Sequence, residues 1–120
     1  MALTRLLDLT GDFNAVTNPS VRIDISGWDW IVVQLVQPTG TVTFSATNDA
    51  GAIEGVTDGN ATSSLNYLSV QGTDLTSGTS VTTSGASSLT RFGVIGKFFR
   101  LSASGAITAG KVLVYLFKIS

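Results

Sequence analysis

The sequence contains no cysteine and no histidine. The first absence excludes disulfides and thiolate metal sites and leaves the redox compartment unread. The second removes the commonest general base, the commonest zinc ligand and the usual pH switch together. Ser-His-Asp and Cys-His triads are therefore impossible. Charge is scarce as well: seven Lys and Arg against eight Asp and Glu, 12% of 120 residues, with a formal net charge of -1. The basic residues are scattered singly, so the chain carries no electrostatic footprint for nucleic acid and no polybasic patch for a membrane surface. No apolar run approaches the ~20 residues needed to cross a bilayer. The opening Met1-Ala2-Leu3-Thr4-Arg5-Leu6-Leu7-Asp8 meets an acidic residue where an export signal would still be apolar, so no such signal is read there.

What is present is a β composition. Thirteen glycines, only two prolines and a Ser/Thr share of about a quarter describe short strands joined by tight turns, as in an all-β sandwich or barrel. The length suits one domain able to bury a core without staples. A surface this poor in charge suits a protein covered by neighbours rather than a free monomer. The organising stretch is Trp28-Asp29-Trp30-Ile31-Val32-Val33-Gln34-Leu35-Val36-Gln37, an apolar-rich run that holds both tryptophans. With period two, Ile31, Val33 and Leu35 share one face while Trp30, Val32, Gln34 and Val36 share the other, which predicts a central strand covered on both faces. The tryptophans read as core and core-edge packing.

Residues 1–12 read as an extended N-terminal arm, since Leu3, Leu6, Leu7 and Leu9 are too few to nucleate a helix. Residues 13–120 read as the sandwich domain. Residues 13–17 are expected to form a short strand and Asn18-Pro19-Ser20 a turn. Val21, Ile23 and Ile25 point inward with Arg22 and Asp24 outward. Pro38-Thr39-Gly40 makes the next turn, and Val42, Phe44 and Ala46 alternate with hydroxyls in a strand expected to form a hairpin with the organising stretch. Periodicity lapses over residues 48–64. A long loop there is expected to be functional or disordered, and Asp49, Glu54, Asp58 and Asn60 have the oxygens a calcium ion wants, although their spacing does not match an EF-hand and Asp-Gly turns are the ordinary reading of them. The sequon Asn60-Ala61-Thr62 is read as chance without an export signal. Residues 65–71 suggest another strand. Residues 72–88 are low-complexity Gly/Ser/Thr with Leu75 and Val81 as the anchors, a candidate edge hairpin ordered by a partner. In the run from Lys97, Phe99, Leu101 and Ala103 belong in the core and Phe98, Arg100 and Ser102 on the other face. Val112, Val114 and Leu116 oppose Leu113, Tyr115 and Phe117 in the last strand, whose two-sided apolar character suggests burial by the sandwich on one face and by a subunit on the other.

No catalytic constellation emerges. Glu54 and Asp58 are the only clustered carboxylate pair, with no aromatic beside them to shape a sugar subsite. The glycines of residues 51–59 lack the lysine and helix of a phosphate loop. Phe92, Phe98 and Arg100 are too weakly basic a set for single-stranded nucleic acid. The expectation is a protein that is not an enzyme and uses no cofactor.

The string Gly96-Lys97-Phe98-Phe99-Arg100-Leu101-Ser102-Ala103-Ser104-Gly105, followed by a glycine turn and a final apolar strand, resembles the closing hairpin of small β-sandwich or jelly-roll structural proteins of tailed bacteriophages. Phe44-Ser45-Ala46-Thr47-Asn48-Asp49 with its Gly/Asp loop resembles the strand and loop before it. The resemblance implies a virion component made in the host cytoplasm: a head decoration or cement protein, commonly a homotrimer, that stabilises the shell by binding the major capsid protein. The arm (Leu3, Arg5, Leu6, Leu7) and the 72–88 segment (Leu75, Val81) are then expected at partner contacts. The alternative is a carbohydrate- or receptor-binding module of a phage tail or fibre, which needs aromatics exposed over a groove, with Trp28, Tyr67 and Phe98 as its positions.

Overall fold

The computed structural model describes residues 2–15, 19–47, 57–58, 68–93 and 97–119. In chain order the strands are β1 (Ala2–Asp8), β2 (Ser20–Asp24), β3 (Trp30–Val36), β4 (Val42–Thr47), β5 (Thr57–Asp58), β6 (Leu68–Ser69), β7 (Gly72–Asp74), β8 (Ser80–Val81), β9 (Thr83–Ser84), β10 (Ser88–Gly93), β11 (Phe98–Ala103) and β12 (Lys111–Ile119), with one short helix, α1 (Thr10–Ala15), after β1. They build two antiparallel sheets. The first runs β1-β12-β3-β10-β7-β8 and the second β5-β2-β11-β4-β6, with β9 also on β4. The chain is an all-β sandwich.

Alternation does the sorting. Ile31, Val33 and Leu35 of β3, Phe92 of β10 and Val112, Val114 and Leu116 of β12 face inward from the first sheet, all essentially buried. They meet Val21 and Ile23 of β2, Val42 and Phe44 of β4, and Phe99 and Leu101 of β11 from the second. Phe92 bridges the sheets: its ring centroid lies 4.9 Å from Phe44 and 4.9 Å from Phe99. Each such side chain stabilises the fold by about 1.5–3 kcal/mol through burial. The inward assignments read from period two agree with the structure in β2, β3, β4, β11 and β12.

Three local expectations fail, for non-local reasons. β3 and β4 are not a hairpin but belong to different sheets, and so do β11 and β12, the expected closing hairpin. The two crossing links lie against each other. Thr39 Oγ1 accepts the Thr108 and Ala109 amides at 3.0 and 3.4 Å, and Ile107, buried between the sheets, reaches Gly40. Gly110 sits at φ +88°, where a Cβ would strike the Val36 and Gln37 carbonyls. The expected strand at residues 13–17 is instead helical through Ala15. The Asp8 carboxylate accepts the Thr10 amide at 3.0 Å, and the turn that follows drops Phe13 fully into the core.

The first residues run in register along β12, from Ala2 opposite Ile119 to Asp8 opposite Leu113. Leu9 and Thr10 extend the attachment through the Val112 carbonyl and amide. β7 and β8 form the hairpin at the opposite edge of the first sheet. The chain then crosses at once, so that β9 pairs with β4 of the second sheet.

Candidate functional site

The expectation that β3 is covered on both faces is corrected by its burial. Its inner side chains are sealed, while Val32, Gln34 and Val36 are half-buried and Trp30 is 38% exposed. The same holds for β12, whose Leu113, Tyr115 and Phe117 are half-buried. Side chains that the period assigns away from the core thus meet no second layer among the described residues.

The registers assemble these positions into rows across the outer face of the first sheet. One row reads Leu6, Tyr115, Val32, Arg91, Thr73, Ser80. Beside it lie Thr4, Phe117, Trp30 and Gly93, and on the other side Asp8, Leu113, Gln34 and Leu89. Exposed large apolar side chains gather here. Leu6 is 53% exposed, Leu89 37% and Ile119 66%; Leu75, also exposed, adjoins the face, its amide donating to the Leu89 carbonyl at 2.8 Å.

Two hollows open on the face. One, of about 350 Å³, is lined by Trp30, Val32, Arg91, Phe117 and Ile119. The Arg91 guanidinium carbon lies 5.0 Å from the Trp30 ring centroid, a cation–π contact that leaves the charge exposed. Tyr115 and Phe117 stack with centroids 6.5 Å apart. Asp29 anchors this end: its amide donates to the Phe117 carbonyl at 2.8 Å, and its carboxylate accepts the Ile119 amide at 2.6 Å. The other hollow, of about 340 Å³, is lined by Gln34, Leu35, Val36, Thr76, Ser87, Ser88 and Leu89. Neither lining pairs an acid with a base.

The residues expected at partner contacts separate by face. Within β1, Leu6 joins the outer face, while Arg5 and Leu7 lie opposite Leu116 and Val114 on the core side. Leu7 packs against the core and Arg5 is exposed at the edge. Leu3 pairs with Lys118 through its backbone, and its side chain lies outside the described residues. Leu75 is 45% exposed, whereas Val81 sits half-buried opposite Gly72. Sequence reasoning missed Leu89 and the meeting of Trp30 with Arg91. The outward set of β3 was already legible, but which strands flank it was not.

Of the positions proposed for a glycan groove, Phe98 is buried at 4% exposure, Trp28 is partly buried against the core, and Tyr67 lies outside the described residues. Asp49, Glu54 and Asn60 of the candidate calcium loop lie outside them too, and of Asp58 only the backbone is described. Among the described residues no three His, Cys, Asp or Glu come together as a metal site, and no helix is long and apolar enough to cross a membrane.

Three carboxylates serve turns. Asp8 is held below its ordinary value of 3.8 by hydrogen bonds from the Thr10 side chain and amide. Asp24 is lowered by the Ser26 amide first and its hydroxyl second, and Asp74 by the Thr76 hydroxyl and then its amide.

No protein-family model matches the chain, and no curated protein sequence matches it. The chain is similar to the crystal structure of SPBc2 prophage-derived protein YomS, with a TM-score of 0.64 and 16% sequence identity over 100% of this chain and 96% of that one, so that the two share a fold from end to end.

Proposed function

We propose that the chain is a structural protein of a bacteriophage particle: a homo-oligomeric decoration or cement protein that binds the major capsid protein, resides in the virion and works by contact, not turnover. The observation that carries the reading is the outer face of the first sheet, where Leu6, Trp30, Leu89 and Ile119 stand exposed around half-buried Val32, Tyr115 and Phe117. A sandwich that leaves this much apolar surface open is built to be covered. Support also comes from the fold shared with a prophage-derived protein, and from a sequence only 12% charged. Many modest contacts repeated over a shell add up through multivalent attachment, and whatever binds the assembled shell raises the free energy of its rupture. The test is co-sedimentation of the purified chain with heads of the phage that encodes it, followed by thermal rupture of the decorated heads. Saturable binding with a raised rupture temperature is expected; heads that neither bind the chain nor gain stability would overturn the reading.

A second reading draws on the hollow of about 350 Å³, whose Trp30 and Phe117 rings are the kind of surface on which a sugar stacks. In a carbohydrate- or receptor-binding module, Trp30→Ala abolishes binding to a glycan array while the fold persists.

A further inference from the structure

We draw no further inference here: the strongest candidate, the apolar outer face of the first sheet with its hollow lined by Trp30, Val32, Arg91, Phe117 and Ile119, belongs to the site already described, and nothing in the structure shows what covers it.

Discussion

The two sheets present opposite kinds of outer face. On the first, the outward side chains are apolar and open: Leu6, Trp30, Leu89 and Ile119 are all more than a third exposed. On the second they are polar and closed: Ser20 is fully buried, Ser45 4% and Arg22 8% exposed, with Phe98 beside them at 4%. Arg22 lies directly opposite Arg100, whose Nε donates to Ser45 Oγ at 3.1 Å. Composition alone would assign the polar face to water and the apolar one to the interior. The structure reverses both, and exposure of apolar area and burial of polar groups are the two informative departures from a generic protein surface.

Five measurements sharpen or break that comparison. The largest effect belongs to the layer both faces share. Phe44→Ala, which removes a ring packed on Phe92 and Phe99, should cost about 3–5 kcal/mol in urea unfolding. Gly110→Ala should cost about 2–3 kcal/mol, because it forces a side chain into a left-handed conformation and against two carbonyls where the sheet-to-sheet links meet. The comparison itself is tested by matched arginines. Arg22→Ala on the closed face should destabilise by about 1–3 kcal/mol through the packing of its buried stem, whereas Arg91→Ala on the open face should cost under about 1 kcal/mol, the scale of its exposed cation–π contact. Equal losses at the two sites would erase the distinction drawn between the faces.

Acid should act more weakly still. The folded values of Asp8, Asp24 and Asp74 lie below the ordinary 3.8, so their contribution is present in full above that value and is lost as pH falls through the lowered ones. A Tm series from about pH 5 to about pH 2 should therefore decline, modestly, since these carboxylates are solvated turn caps. The smallest change is expected for Leu89→Ser on the open face: stability within about 0.5 kcal/mol of wild type, with reduced binding of an apolar fluorescent dye. A loss as large as that for a core residue would mean the face is already covered within the chain.

Much of the outcome was legible in the residues. Abundant glycine and hydroxyl residues, scarce proline and period-two runs pointed to an all-β sandwich, and the alternation named the inward side chains of β2, β3, β4, β11 and β12. Even the open face was half-written in Leu113, Tyr115 and Phe117, which faced away from the core and toward an unnamed neighbour. Leu6 and Leu75 were placed at partner contacts and are exposed in or beside that face; Leu7 and Val81, grouped with them by sequence proximity, turn toward the interior. Neighbours along a strand point to opposite sides, so a contiguous stretch cannot serve as one contact surface.

Which strands lie side by side was decided only in three dimensions. The link at Pro38-Thr39-Gly40 has the glycine and proline of a hairpin, yet it carries the chain to the other sheet, because its hydrogen bonds go to Thr108 and Ala109, some seventy residues on. The opening residues find β12 at the far end of the chain, and Trp30 and Arg91 meet through two strands that the sequence holds sixty residues apart. Period two is a local property, set by the geometry of each residue and its neighbours, so the sequence by itself determined which side chains face in and which face out. Pairing and register depend on contacts between distant segments whose combined burial must be compared across whole arrangements, and only the tertiary structure decides that comparison.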